Sequence, residues 1–322
     1  MAIPKKLAIL HRHISLGIPI TRHILHGPNS YQLSGLNSHA LFGHSRSFSA
    51  PTGLSPPTIR DRITSLWAYI AKSSTAYYRG SKLLLEQTRQ VRDLKSRQER
   101  HQYKVSRREF VLIKTNTDDA FRVVPFFIIL ILIPETLPLF LIKGANIIPS
   151  TCILPEQLAA RRLKLKDVRV QLSLDAIESI KMGSVFDPVT LASHETMKHL
   201  AAVQPQHFII DNMSHEQLVQ YSKLMGFPTW RTTWLLKNKL QKHFRFLKQD
   251  DTLLKKEGLG QLTIEELETA CEDRGIASVG VTSEDLVRHL QSWVDLHTTT
   301  DPIIQPGLMM LNVLLRTHDA KV

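Results

Sequence analysis

The feature that most constrains this chain is an apolar segment, residues 123–142, which Arg122 and Lys143 bracket. Twenty residues is about the length of one transmembrane helix. The fifteen strongly apolar side chains each contribute roughly −0.3 to −0.6 kcal/mol to insertion. Together they outweigh the cost of the single ionisable group, which is roughly 3 kcal/mol. The sequence therefore predicts one transmembrane helix at residues 123–142.

Three prolines in this segment bear on the choice between a membrane helix and a buried helix of a soluble protein. Pro125, Pro134 and Pro138 would each cost roughly 3 kcal/mol in the interior of a soluble helix. In a membrane, neighbouring groups can satisfy the carbonyl oxygens that such prolines leave free. The prolines therefore favour the transmembrane interpretation.

The segment contains one carboxylate, Glu135, which lies between Pro134 and Pro138. An ionisable side chain inside a span is a functional-site hypothesis by default, and these three residues are the candidate ion pathway of a proton or cation relay. The alternative is that Glu135 is neutral, or pairs with a polar group of another subunit, and serves packing alone. Both interpretations stay open, and the lysines and arginines on either side do not settle the orientation of the span.

The first sixty residues have the composition of a mitochondrial presequence. They contain six lysines and arginines, six histidines and no aspartate or glutamate. Apolar residues recur at helical spacing between Leu7 and Ile18. Arg46-Ser47-Phe48-Ser49 resembles a matrix-protease site, so we expect residues 1–48 to be removed and residues 49–64 to form a linker. The alternative is an ordinary disordered basic tail.

The composition narrows the class of protein and of partner. With 43% hydrophobic residues, 22% charged residues and 2 cysteines, the chain is not a disulfide scaffold, a collagen-like repeat or a fully disordered protein. Its net charge of +12 suggests an anionic partner such as a phosphate backbone or a lipid surface.

The remaining segments are expected to be helical, which makes the expected fold class all-α. Residues 65–122 form a basic juxtamembrane region with few helix breakers beyond Gly80, and they could hold anionic lipid headgroups. Residues 143–190 contain a charged helix at 157–180. Residues 191–318 form the final helical domain.

An internal repeat lies in this final domain, at residues 213–227 and 262–276. Each copy begins with a hydroxyl residue followed three positions later by Gln or Glu, which predicts a capping box at the start of a helix. Each copy ends at a glycine suited to a left-handed helix cap, Gly226 or Gly275. A second helix follows in both, and two helix–loop–helix units of this kind resemble SAP-type modules, some of which bind nucleic acid.

The two units differ in charge. Residues 230–256 carry eight cations against two carboxylates, a net +6, whereas residues 257–301 carry ten carboxylates against two arginines, a net −8. Cations interleaved with aromatic residues suit phosphate contacts and base stacking, although we expect Trp234 and Phe244 to be core residues. The candidate ribosome-binding or polyanion-binding residues are Lys237, Lys239, Lys242 and Arg245. The alternative is that these four form an ordinary solvated helix face.

The sequence carries no catalytic motif, so we expect a protein that is not an enzyme and that needs no cofactor and no metal. It contains no P-loop, no GxGxxG, no GxSxG and no EF-hand loop. His194 and His199 are five residues apart rather than four, about 140° off one helical face, which excludes a zinc-protease helix. Cys271 is expected to be a small buried side chain rather than a nucleophile.

Several blocks in order resemble the LETM family, the leucine-zipper/EF-hand-containing transmembrane proteins of the mitochondrial inner membrane. The resemblance extends over about residues 75–318, and the blocks are specific together although each alone would be weak. The blocks are Tyr78-x-Gly80-x-Lys82-Leu83-Leu84, Ser106-Arg107-Arg108-Glu109, Asp119-x-Phe121-Arg122-x-Val124-Pro125-Phe126, Pro134-Glu135 with Pro138, Ile148-Pro149-Ser150-Thr151, Asp250-Asp251, Glu257-Gly258, Leu262-Thr263-x-x-Glu266-Leu267-x-x-Ala270-Cys271-x-x-Arg274-Gly275 and Trp293-x-x-Leu296-His297.

The resemblance implies a single-pass protein of the mitochondrial inner membrane whose C-terminal domain lies in the matrix. That domain would be similar to the family's ribosome-binding region. Its implied partners are the mitochondrial ribosome, inner-membrane lipids, and a second copy of the chain or a related family member. The family supports potassium/proton exchange and organelle volume control. This sequence stops soon after the second helix–loop–helix unit, without an EF-hand or longer coiled coils.

Two functions from different classes follow. The first is a membrane-tethered ribosome receptor and scaffold, which depends on the basic helix–loop–helix unit. The second is a subunit of a cation/proton antiporter that uses Glu135. Since one span cannot enclose an ion pathway alone, the second function would need an oligomer or partner subunits.

Overall fold

The computed structural model describes residues 59–101, 103–132, 149–183 and 187–317. Within these ranges every regular element is an α-helix or a short 3-10 helix, which confirms the predicted all-α class. The predicted presequence lies outside the described residues, and so do Pro134, Glu135 and Pro138.

Ten α-helices follow one another in the described ranges. They are α1 Ile59–His101, α2 Arg107–Leu132, α3 Pro155–Gly183, α4 Pro188–Leu191, α5 His194–Val203, α6 His215–Leu224, α7 Thr233–Glu257, α8 Ile264–Asp273, α9 Ser283–His297 and α10 Pro306–Arg316. Short 3-10 turns lie at Ser150–Cys152, Pro205–Phe208, Ile210–Asn212 and Leu259–Gln261. The helix expected at 157–180 is therefore confirmed as α3, whereas α1 begins inside the segment expected to be a linker.

The described residues belong to two compact units, residues 59–75 and the residues from Ala76 onward. In the first unit the described residues are the N-terminal part of α1. The second unit contains the rest of α1 and all the other helices.

One hydrophobic core lies among α3 to α10, and α7 contributes a continuous stripe to it. Leu236, Leu240, Leu247 and Leu254 of α7 are at most 1% exposed. They recur four or seven residues apart, so they lie on one face of the helix. That face meets α6 and α9, the two helices that pack on α7 from within the repeat.

Both predicted helix–loop–helix units are present. The N-cap hydroxyl accepts a hydrogen bond from the backbone N–H three residues on, at 3.2 Å for Ser214 and 3.3 Å for Thr263, and both capping boxes are complete. Gly226 and Gly275 adopt φ of 70° and 80°, the left-handed conformation that a side chain would strain. In the basic helix–loop–helix unit α6 packs on α7, and in the acidic helix–loop–helix unit α8 packs on α9.

A turn at residues 103–106 separates α1 from α2, where the sequence pattern predicted a helical region without a break. The Glu109 carboxylate accepts hydrogen bonds from Ser106 N and Ser106 Oγ, both at 2.9 Å, and from the Tyr103 hydroxyl at 3.0 Å. Ser106 and Glu109 thus cap the start of α2 in the manner of a capping box. The chain can turn here because the cap satisfies the backbone groups at the helix start.

The described first half of the apolar segment, residues 123–132, continues α2 rather than starting a helix of its own. α2 runs from Arg107 to Leu132, so the boundary predicted between residues 122 and 123 lies inside one helix. Among the described helices, none combines the length and the hydropathy that a membrane span requires. Residues 133–142 of the predicted span lie outside the described residues.

The 3-10 turn at Ser150–Cys152 lies against both α1 and α2. Asp119 in α2 accepts hydrogen bonds from Ser150 N at 2.9 Å and from Ser150 Oγ at 2.6 Å. Gly80 in α1 approaches the turn so closely that a Cβ atom there would lie 2.5 Å from the Thr151 carbonyl oxygen. The residues just before the apolar segment are therefore bonded to residues just after it.

Candidate functional site

The predicted basic residues lie on α7, but they do not form a single stripe. At 3.6 residues per turn, Lys237, Arg245, Lys242 and Lys239 follow one another around an arc of about 200°. The opposite arc of α7 carries the buried leucines. The four cations therefore lie in different surroundings, and their contacts differ.

Lys237 is engaged in holding a neighbouring turn. Its Nζ donates to the Asp211 carbonyl oxygen at 2.6 Å, and Gln241, one helical turn later, donates to Asp211 Oδ1 at 2.6 Å. Both bonds fix the 3-10 turn Ile210–Asn212 to α7. The Lys237 ammonium is therefore partly committed to the fold.

Lys239 is half-buried beside the loop that joins α6 to α7. Its Nζ lies 5.0 Å from the centroid of the Phe227 ring, within the range of a cation–π contact. Burial lowers the pKa of Lys239, and the Asp118 carboxylate opposes that shift. Like Lys237, this residue has a structural contact that the sequence did not indicate.

Lys242 and Arg245 are exposed and line a groove between α2 and α7, with a volume of about 450 Å³. The stacked rings of Phe110 and Phe246, with centroids 5.5 Å apart, line the same groove. In the described part of the chain, no carboxylate oxygen lies within 4.0 Å of Lys242 or Arg245. We name this feature the α2–α7 groove.

The acid that borders the α2–α7 groove is already paired. Asp118 forms an ion pair and hydrogen bond with Lys114 one turn earlier in α2. Although burial alone would raise the pKa of Asp118, the Lys114 ammonium holds it below the ordinary value. The Lys114 ammonium also lies 5.2 Å from the Phe246 ring centroid. The groove therefore presents two unpaired cations above an aromatic surface, a combination that suits phosphate contacts and base stacking.

A buried ion network holds α7 to α8 and α9 on the other side. Asp251 and Arg274 are both 0% exposed. The Asp251 carboxylate accepts from Arg274 Nε at 3.0 Å, from Trp293 Nε1 at 2.9 Å and from His297 Nδ1 at 2.6 Å. Although burial alone would raise the pKa of Asp251, the Arg274 guanidinium and the His297 hydrogen bond keep it below the ordinary value.

The same network positions α2, and with it the α2–α7 groove. Asp250 accepts from Arg274 Nη2 at 2.6 Å and from Arg107 Nη2 at 3.3 Å, and the Arg107 backbone N–H donates to Glu257 at 2.9 Å. The sequence placed Asp250, Asp251 and Arg274 in family blocks but gave them no role. The signal in the sequence that could have indicated their burial is the position of Asp250 and Asp251 between Leu247 and Leu254, which lie on the apolar face of α7.

The acid-rich α8 is held by arginines from two other helices. The ion pairs are Arg108 with Glu266 at 2.9 Å, Arg162 with Glu268 at 2.5 Å and Arg169 with Glu272 at 2.5 Å. Arg108 lies on α2, whereas Arg162 and Arg169 lie on α3. Part of the −8 charge counted for the second unit is therefore neutralised within the fold.

Two tryptophans near the start of α7 are exposed. Trp230 is 84% exposed and Trp234 is 68% exposed. The prediction that Trp234 is a core residue is wrong, because Leu236 and Leu240 take the buried face of that helix. Phe244 is 4% exposed, which confirms the prediction that it lies in the core.

The other residues singled out by sequence have structural roles or none. Cys271 is 0% exposed and burial raises its pKa to about 12, which confirms it as a small buried side chain. His194 contacts Ser292 Oγ at 2.9 Å. Across the described ranges, no three His, Cys, Asp or Glu side chains are placed to hold a metal ion.

A cavity of about 150 Å³ lies among α3, α9 and α10, lined by apolar residues and by Lys166, His289 and Arg316.

Residues 105–314 match the family described as "LETM1-like, RBD", and this range includes α2 to α9 and most of α10. The chain belongs to the LETM1-like family. The α2–α7 groove and the buried ion network both lie inside the matched range. No solved structure matches the chain.

Two curated relatives place this LETM1-like chain among mitochondrial proteins. It is 28% identical over 240 residues to the "Mitochondrial proton/calcium exchanger protein" of Drosophila melanogaster, covering 68% of this chain and 24% of the relative. It is 28% identical over 218 residues to the "LETM1 domain-containing protein YLH47, mitochondrial" of Saccharomyces cerevisiae, covering 60% of this chain and 47% of the relative. The chain spans about a quarter and about half of these relatives. Their names support the mitochondrial location predicted from the N-terminus.

Proposed function

We propose that this LETM1-like chain is a membrane-tethered scaffold of the mitochondrial inner membrane. The scaffold binds the mitochondrial ribosome and supports potassium/proton exchange and organelle volume control, and it has no catalytic activity. The observation that carries the proposal is the α2–α7 groove, where Lys242 and Arg245 are exposed and have no carboxylate partner. The family's description as an RBD, the ribosome-binding region of LETM proteins, supports the same assignment.

The charge around the groove also supports a polyanionic partner. Residues 217–249 contain seven lysines and arginines and no aspartate or glutamate. The next two residues, Asp250 and Asp251, are buried and paired with arginines, so they do not screen the surface. An acid-free helix face of this kind attracts phosphate groups over several ångströms.

The test is salt-dependent cosedimentation of the full chain, in mild detergent, with mitochondrial ribosomes. The variant Lys242→Glu/Arg245→Glu should bind more weakly, and the slope of log affinity against log salt should fall by about 2. The matched control is Lys164→Glu/Lys198→Glu, which makes the same charge change at exposed lysines outside the groove. Equal losses in both variants would show that binding depends on net charge and not on the groove.

A second candidate function is cation/proton exchange through Glu135, in an oligomer of this chain. The observation that favours it is the name of the Drosophila relative, a proton/calcium exchanger. We expect Glu135→Gln to slow potassium-driven proton flux in mitochondria while ribosome cosedimentation is unchanged. Glu284→Gln, at an exposed position of α9, is the control. Normal flux in the Glu135 variant would make that carboxylate structural.

A further inference from the structure

The contacts of α2 restrict how the apolar segment can be placed in a membrane. Arg107, before the segment, pairs with Asp250, after it, and both side chains are buried. Asp119 accepts a hydrogen bond from Ser150 N at 2.9 Å. One crossing between residues 123 and 142 would separate these partners by a hydrocarbon layer about 30 Å thick. Groups in hydrogen-bond contact cannot lie across that layer, so Asp119 before the segment and Ser150 after it lie on one side.

The C-terminal half of α1 belongs to the same side. Gly80 packs against the Thr151 carbonyl oxygen, and Thr88 Oγ1 accepts a hydrogen bond from Asn116 Nδ2 at 2.9 Å. The described residues within 76–119 and 149–317 therefore form one packed body. This arrangement differs from a single-pass protein whose N-terminal helix and C-terminal domain lie on opposite sides.

The register of α2 against α7 shows which end of this body is next to the apolar segment. The two helices run antiparallel, and the facing pairs are Arg107 with Asp250, Phe110 with Phe246, and Asp118 with Lys239. The residue numbers of each pair add up to about 357. Continued along both helices, the same register puts Trp234 at the level of Val123, where the apolar segment begins.

The start of α7, at that level, has an exposed aromatic surface surrounded by positively charged side chains. Trp230 and Trp234 are 84% and 68% exposed, Leu235 is 38% exposed, and the Arg231 guanidinium lies 5.7 Å from the Trp230 ring centroid. Indole rings combine a large apolar face with a polar N–H group, which suits the interface between headgroups and acyl chains. The acid-free stretch 217–249 gives this end the charge that attracts anionic lipid.

We propose that Trp230 and Trp234 lie in the headgroup layer of an anionic phospholipid bilayer, with residues 76–119 and 149–317 together on that side of the membrane. The proposal rests on the membrane tether of the proposed function. A lipid surface fits better than RNA because the tryptophans are level with the start of the apolar segment. Lys242 and Arg245 lie about 12 and 16 Å farther along α7, so the α2–α7 groove stays open to a large partner.

The first experiment tests the side of the membrane. The full chain with Arg92→Cys on α1 and Glu284→Cys on α9, both exposed positions, is reconstituted in anionic liposomes and treated with a membrane-impermeant maleimide. The native Cys152 and Cys271 are buried. If both new cysteines lie on one side, intact mass should show molecules with two labels or none, whatever the orientation of insertion. A population of protein molecules that each carry a single label would overturn the proposal.

The second experiment tests the lipid contact by quenching of tryptophan emission with phospholipids brominated near the headgroup. The quenched fraction in the wild type should fall by at least half in Trp230→Phe/Trp234→Phe. Adding Ile264→Trp to that variant is the control, because Ile264 is 66% exposed but lies at the Arg108 end of α2. Its indole should stay unquenched. Equal quenching in the wild type and the double variant would overturn the proposal, as would quenching by ribosomal RNA alone.

Flotation separates the two ways of failing. A chain that does not float with liposomes, or that carbonate removes from them, contradicts both the membrane tether and the lipid contact. A chain that floats and resists carbonate but carries single labels, or has unquenched indoles at residues 230 and 234, contradicts the further inference alone.

Discussion

At the scale of single residues, Arg274 is the buried cation that joins both carboxylates of the ion network. It hydrogen-bonds both Asp250 and Asp251, and it also donates to the Ala270 carbonyl oxygen at 2.7 Å. Nearby carboxylates raise the pKa of Arg274 against the effect of burial, so it stays charged. Removing it would leave two buried carboxylates with one cation fewer.

We expect Arg274→Met to destabilise the fold by about 3–5 kcal/mol, the typical cost of breaking a buried pair from one side. The measurement is urea unfolding followed by far-UV circular dichroism. Arg288→Met is the control, because Arg288 pairs with Asp285 at the surface and should cost no more than about 1 kcal/mol. Similar losses in the two variants would contradict a special role of the buried network.

A second residue-scale prediction concerns pH and the pair formed by His243 and Asp273. His243 Nε2 donates to the Asp273 carbonyl oxygen at 2.7 Å, so the neutral ring carries its proton on Nε2. Burial lowers the pKa of His243 to about 4 and raises the pKa of the Asp273 carboxyl to about 6.

These two shifts act on stability in opposite directions. Folded His243 binds fewer protons than unfolded His243 between pH 4 and 6.5, so its contribution is lost as pH falls through that window. Folded Asp273 binds more protons than the unfolded residue between pH 3.8 and 6, so its contribution is lost as pH rises. In the wild type the two slopes partly cancel.

We therefore expect two variants to diverge when unfolding midpoints are measured from pH 4 to 7. Relative to the wild type, His243→Gln should lose stability as pH rises, and Asp273→Asn should gain it. Gln keeps a donor for the Asp273 carbonyl oxygen, so the change in slope reports on protonation. Variants that both run parallel to the wild type would show that neither shift is real.

Some residue-scale features could be predicted from the sequence and others could not. The burial of Cys271 and Phe244 followed from helical spacing. The exposure of Trp234 did not, because an apolar side chain near a helix start satisfies the same pattern whether it faces the core or solvent. The bonds of Lys237 to Asp211 and of Lys239 to Phe227 depend on neighbouring segments, which spacing along α7 does not report.

At the scale of elements, helix starts were more predictable than helix packing. The capping boxes at Ser214 and Thr263 involve only four consecutive residues, so their sequence determines their geometry. Ser106 and Glu109 form the same kind of cap at the start of α2. The end of α1 before this cap was not predicted, because the charged residues around it fit a continuous helix. α7 is also longer than α9, 25 residues against 15, and the buried Asp250 and Asp251 lie in the part of α7 that has no counterpart in α9.

The packing of α1 leads to a prediction at Gly80. A Cβ atom at Gly80 would lie 2.5 Å from the Thr151 carbonyl oxygen and 2.8 Å from Cys152 Sγ. We expect Gly80→Ala to destabilise the protein by about 1–3 kcal/mol, even though alanine favours a helix by about 1 kcal/mol. Thermal unfolding measures the change.

The control for this prediction is Gly260→Ala, since a Cβ atom at Gly260 would have no neighbour within 4 Å. That variant should unfold near the wild-type temperature. A Gly80 variant as stable as the Gly260 variant would mean that α1 does not pack on the 3-10 turn.

At the scale of the whole molecule, the charge count of the sequence describes the surface only in part. The all-α class and the family could be predicted from the sequence. The basic character of the first helix–loop–helix unit could be predicted as well. The acidic character of the second unit was overstated, because Glu266, Glu268 and Glu272 pair with arginines more than 100 residues earlier. Pairing over such separations needs the tertiary fold.

Because residues before and after the apolar segment are bonded to each other, we predict that a cut between the segment and Ser150 leaves the protein in one piece. We expect a chain with a specific-protease site inserted after Asn146 to elute as one species after cleavage, in detergent and without denaturant. The contacts of Arg107 with Asp250 and of Asp119 with Ser150 should hold the halves together. In the same cleaved chain, Arg107→Ala/Asp119→Ala should increase separation of the fragments at least several-fold. Separation without these substitutions would contradict the packing of α2.

The bond between Asp119 and Ser150 also determines how mechanical tension travels through the molecule. A partner that pulls on the C-terminal domain transmits force from α7 to α2 through the pair of Arg107 and Asp250. The force then reaches α1 through the hydrogen bond between Asn116 and Thr88. The part of the chain between Asp119 and Ser150, which contains the apolar segment, makes none of the contacts in this path. The helices that hold the partner can therefore keep their arrangement without help from that part of the chain.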